Sequence, residues 1–74
     1  MGRSMSKTER AFYRELGAWL AVKRRTLRLS QLALGREFGV GSDTLSRWER
    51  GKSPIPAYAQ HRVKAMVREK GLQL

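Results

Sequence analysis

The sequence predicts a small all-α domain of four helices. Three observations carry that prediction: apolar residues recur at helical spacing in four separate segments, glycine or proline falls at the later junctions between them, and no stretch has the character of a strand run. With 74 residues the chain allows one domain and one modest core, near the lower limit at which such a core is stable without staples.

Residues 1–5 show no periodicity and read as a loose basic arm, leaving residues 6–74 as the folded domain. Ser6 and Glu9 form an S-x-x-E capping-box pattern, which starts a first helix at about Lys7. Along it Phe12, Leu16, Trp19, Leu20 and Leu27 share one arc, with Arg10, Arg14, Ala21 and Arg25 across from them, and the helix ends near Leu27. Lys23 falls inside the apolar arc, where its stem is expected to lie along the core edge.

Ser30 is the N-cap of a second helix that runs to Phe38, with Leu34 and Phe38 four apart on one face. Gly35 in mid-helix should cost about 1 kcal/mol relative to alanine, so a reason for it is needed. Close crossing of the second and third helices is the expected one. Gly39 ends the second helix, as glycine does where the chain turns left-handed.

The third helix is read at residues 42–50, with Leu45 and Trp48 turned inward and Asp43, Ser46, Arg47 and Arg50 on the opposite face. Gly51 ends it, and the prolines of residues 52–56 block continuation. A fourth helix follows over about residues 56–70, with Ala59, Val63, Met66 and Val67 as its apolar stripe and Gly71 as its stop.

Residues 31–50, QLALGREFGVGSDTLSRWER, therefore hold two short helices broken by a glycine turn. This is a helix-turn-helix pattern, whose second helix can enter a DNA major groove. The combination of Gly35, Gly39 followed by Val40, inward Leu45 and Trp48, and the run SRWERGK from Ser46 to Lys52 resembles the Cro/C1-type (XRE), lambda-repressor-like helix-turn-helix family. Arg24 stands where that family carries a helix-one arginine, and the likeness spans residues 16–56. The chain departs from the family in two places. Arg28 replaces the usual glycine between helices one and two, so either it takes a positive φ or the turn is built differently. The family's fifth helix has no room in residues 71–74, and C-terminal elements often supply the family's dimer contact.

The resemblance implies roles for particular residues. Gln31 would hydrogen-bond a phosphate from the start of helix two, a position whose backbone amides also suit that contact. Ser42, Asp43, Ser46 and Arg47 would read bases, Arg47 by forked bonds to guanine and Asp43 by accepting from cytosine. Asp43 is equally suited to the positive end of the helix dipole. Thr44 would pack at the rim or meet a phosphate. Arg36, Arg50 and Lys52 are phosphate candidates flanking the groove, against a plain solvated basic surface. Glu49 would pair with Arg24 and clamp helix one to the end of helix three. Trp48 is read as core, Trp19 and Tyr13 as core or rim, and His61, Lys64 and Arg68 as a solvated face of helix four.

Composition agrees. Lys and Arg number 16 against 6 Asp and Glu, giving a formal charge of +10 and pointing to a polyanionic partner. No cysteine and a single histidine exclude disulfides and thiolate or zinc-finger sites, and no cofactor is expected. Without an apolar run of signal-peptide or membrane length, a cytoplasmic, nucleoid-associated protein is expected. The expected function is sequence-specific double-stranded DNA binding by a transcriptional regulator, most simply a repressor acting by occlusion. A homodimer on a palindromic operator would give the affinity that one such module lacks. Three rivals stand beside this. A protein-interaction module such as an antitoxin or adaptor would expose an apolar patch near Phe12 and Tyr13 or at Leu72 and Leu74. A nucleic-acid binder without sequence preference would yield no consensus. An enzyme would need a nucleophile, a base and an orienting group, and no such set assembles at any spacing.

Overall fold

In the computed structural model, which describes residues 6–71, four helices follow in order: α1 (Lys7–Thr26), α2 (Gln31–Phe38), α3 (Ser42–Glu49) and α4 (Ala57–Glu69). No strand occurs among the described residues, and the protein is all-α. The arm read at residues 1–5 and the apolar tail positions Leu72 and Leu74 lie outside the described residues.

α1 begins in the capping box. Glu9 N–H donates to Ser6 Oγ at 3.1 Å, and Ser6 N–H donates to Glu9 Oε1 at 2.9 Å. Its far end closes through Arg28, which sits in the left-handed region at φ 60. Arg28 N–H donates to the Arg25 carbonyl at 2.9 Å and Leu29 N–H to the Arg24 carbonyl at 3.2 Å, the Schellman pattern. Of the two ways to build this turn, the chain uses the positive φ. A residue with a Cβ pays roughly 1 kcal/mol there. Arg28→Gly is therefore expected to stabilise the fold by about 0.5–1 kcal/mol, less whatever the freer unfolded chain takes back. A thermal melt checks this, and a lower melting temperature would show that the Arg28 side chain contributes more than its backbone loses.

Ser30 Oγ accepts from Ala33 N–H at 3.0 Å to start α2, and Gly39 at φ 76 ends it. Gly35 is buried, but the approach to it differs from the expected helix crossing. A Cβ there would lie 2.7 Å from the Val40 carbonyl oxygen and 3.3 Å from that of Gly41. The turn itself, not the side of α3, folds over α2 at that point. α3 ends one residue before the predicted boundary, with Arg50 as its cap and Gly51 at φ 74.

All four helices feed one core: Leu20 and Leu27 from α1, Leu34 and Phe38 from α2, Leu45 and Trp48 from α3, Val63 and Val67 from α4, with Ile55 from the connecting turn. Phe38 and Trp48 meet with ring centroids 6.0 Å apart. Trp48 is thus a core residue, while Trp19 is half-buried with Lys64 Nζ over its ring at 5.9 Å.

The buried face of α1 differs from the predicted arc. Ala21, read as lying across from the core, is buried together with Gly17, and α1 packs on α3 as well as on α4. Phe12, placed on the apolar arc, is 58% exposed, with its ring edge-on to that of Tyr13 at a centroid distance of 5.7 Å. The cause is side-chain size. A Cβ on Gly17 would stand 2.4 Å from the Trp48 carbonyl oxygen and 2.6 Å from that of Glu49, so the end of α3 rests directly on the α1 backbone. Small residues draw the neighbouring helix to their own side and leave the start of the apolar arc uncovered. Among the described residues no helix is long and apolar enough to cross a membrane.

Candidate nucleic-acid interface

α3 is eight residues long, and its buried positions Leu45 and Trp48 fix which side faces out. Ser42, Asp43, Arg47 and Arg50 are exposed along that outer side, and Ser46 and Thr44 are half-buried at its edges. Arg36 in the last turn of α2 and Lys52 just past α3 are also exposed. Among the described residues none of Arg36, Arg47, Arg50 and Lys52 pairs with a carboxylate. The strip is therefore polar and cationic, with its charges uncompensated within the described protein. Arg50 is partly committed, since its Nε donates to the Ser46 carbonyl at 3.4 Å.

The strip is held from behind by a charged cluster. Arg24 Nε donates to Glu49 Oε2 at 2.6 Å, Arg24 Nη2 to Glu49 Oε1 at 3.2 Å, and Arg24 Nη1 to the Leu29 carbonyl at 3.0 Å. The two side chains are only 16% and 6% exposed, and the forked geometry is that of the stronger Arg–carboxylate pairs. Glu49 is the last residue of α3 and Arg24 lies in the last turn of α1, so the pair ties those two helices together.

Gln31 belongs to the same cluster. Its Nε2 donates to Glu49 Oε1 at 3.0 Å, so the side-chain amide expected to face a phosphate is turned toward the ion pair. Sequence reasoning missed this contact because residues 31 and 49 lie on different helices, and nothing in the local pattern links them. At the start of α2, Ser30 Oγ and the Ser30 carbonyl take the Ala33 and Leu34 amides, and among the described residues the Gln31 and Leu32 amides make no hydrogen bond.

Asp43 lies in the first turn of α3, which has no side-chain cap, and its Oδ1 stands over Gly41, 2.8 Å from where a Cβ would be. It has no hydrogen-bonded or ionic partner among the described residues. That place satisfies the dipole role and leaves the carboxylate outward, so both readings of Asp43 are open geometrically. His61, Lys64 and Arg68 are exposed on α4, as read. Among the described residues no three His, Cys, Asp or Glu side chains gather as metal ligands. No protein-family model, curated protein or solved structure matches the chain. Its function is therefore read from these residues and their geometry.

Proposed function

We propose that this protein is a sequence-specific double-stranded DNA-binding regulator of the Cro/C1-type helix-turn-helix kind, which lays α3 in the major groove. The observation that carries the proposal is the outer strip of α3. Ser42, Asp43, Ser46, Arg47 and Arg50 follow one helical side opposite Leu45 and Trp48, and the cations among them have no acidic partner among the described residues. A major groove admits one α-helix, and side chains on one strip reach successive base edges. Arg36, Lys52 and the free amides at the start of α2 supply phosphate contacts on either side. Binding as a homodimer to a palindromic operator would raise the affinity, and occlusion of the site would repress transcription.

Arg47 distinguishes base reading from general attraction. Arg47→Ala is expected to cost about 1–3 kcal/mol on a preferred duplex and to relax one base position. Lys52→Ala should weaken all duplexes alike and lower the salt slope by about one per protomer. Competition binding against scrambled duplex separates the two. Equal losses on both duplexes from Arg47→Ala would make it another phosphate contact, and specificity would fall to Ser42, Asp43 and Ser46 or to DNA shape.

A second reading has one observation in its favour. Phe12 projects from the start of α1 with more than half of its surface exposed, where a protein partner or a second copy would find an apolar anchor. A protein-interaction module would bind through Phe12 and be indifferent to Arg47.

A further inference from the structure

The α1 face that carries Gly17 and Ala21 against α3 continues toward the helix start as Arg14 and Arg10. There it passes the turn that closes α3. Gly51 in that turn is buried, and a Cβ on it would lie 2.6 Å from Arg14 Cα, 2.8 Å from Arg14 N and 3.1 Å from the Tyr13 carbonyl carbon. Turn and helix therefore touch backbone to backbone. Two hydrogen bonds fix the turn, Gly51 N–H to the Trp48 carbonyl at 3.1 Å and Lys52 N–H to the Arg47 carbonyl at 2.9 Å. Above this contact opens a cleft of about 310 Å³ lined by Arg10, Arg14, Arg50, Gly51 and Lys52.

Four cationic side chains thus surround one cleft with no acid in its lining, and among the described residues none of the four is ion-paired. Such a set suits a ligand with more than one negative charge and with oxygens spaced for forked donors. Phosphate has both, and guanidinium groups bind it in bidentate fashion. A merely solvated basic surface would let its cations spread apart, whereas here the backbone contact at Gly51 holds the two walls together. Arg50 belongs both to this cleft and to the outer side of α3, so a phosphate held here is continuous with the strip described above.

We propose that the cleft is a phosphate-binding site, in which Arg10 and Arg14 extend the protein's grip to a backbone phosphate beyond the segment under α3. The duplex as source rests on the DNA-binding reading; a free polyphosphate would be held by the same chemistry. The test uses the full chain, Arg10→Gln/Arg14→Gln, and Arg68→Gln/Lys70→Gln, which removes equal charge from outside the cleft. With a random-sequence duplex, loss of that contact should lower the salt slope by about 0.9 per protomer and weaken binding on the order of 10-fold at moderate salt. The α4 variant should do much less. Equal losses from both variants, or none from the first, overturn the backbone source while leaving the DNA-binding reading intact. Titration with tripolyphosphate, followed by amide NMR, covers the other source. Saturable shifts at Arg14, Gly51 and Lys52 that vanish in Arg10→Gln/Arg14→Gln support the site even if no duplex binds, in which case the DNA reading fails and the cleft stands. No saturable shifts together with no slope change overturn the proposal.

Discussion

Glu49→Ala is expected to lower the melting temperature by about 12–24 °C, the shift that a loss of about 3 kcal/mol produces in a domain of this size. Glu49 accepts three hydrogen bonds, two from Arg24 and one from Gln31, and its side chain is 6% exposed. Its removal strands a guanidinium that is itself only 16% exposed and leaves the Gln31 amide unsatisfied. The Leu29 carbonyl still takes one Arg24 donor, which places the loss toward the lower end of the 3–5 kcal/mol typical of a broken buried pair. DNA binding should fall as a consequence, since α3 loses its tie to α1. Thermal melts of Glu49→Ala, Arg24→Ala and the double variant check this, because a coupled pair gives a double loss well below the sum of the singles. An unchanged melt with lost DNA binding would make Glu49 a contact residue instead.

Gly17→Ala should also destabilise the fold, although it adds only a methyl group. That methyl would stand 2.4 Å and 2.6 Å from the Trp48 and Glu49 carbonyl oxygens and 2.8 Å from the Glu49 carbonyl carbon. All three are backbone atoms, so no side chain can rotate away. Relief requires α1 and α3 to separate, which loosens Trp48 and the Arg24–Glu49 pair together. The gain in helix propensity from replacing glycine is about 1 kcal/mol, too small to offset a forced helix displacement that typically costs about 1–3 kcal/mol and more against rigid backbone. A denaturant titration measures the net effect. Equal or greater stability in Gly17→Ala would mean that the two helices do not approach as closely as described.

The elements were legible in the sequence where local chemistry decides them. The S-x-x-E box, Ser30, Gly39 and Gly51 each act within one helical turn, and all four appear where they were read. Inward Leu45 and Trp48 followed from period alone. The side of α1 that α3 takes was not legible, because periodicity weighs apolar area and Gly17 has none. What Gly17 offers is nearness of backbone, which shows only when the partner helix is in place. Phe12 shows the converse, being apolar at a correct spacing and yet more than half exposed at the start of α1. The Arg24–Glu49 pairing was expected from family likeness, since 25 residues separate the partners and no local rule joins them. Gln31 turning toward that pair, and Arg10 and Arg14 meeting the turn after α3, depend on how three helices cross.

Whether the outer strip of α3 reads duplex sequence is decided by selection from a random pool of double-stranded DNA. Repeated rounds on the full chain should enrich one consensus. For a homodimer that consensus should be an inverted repeat with half-site centres about 34 Å apart along the duplex, and the position read by Arg47 should lose its preference in Arg47→Ala. A pool that remains random while still being retained would contradict sequence reading by α3 and leave a basic protein that holds DNA by charge alone.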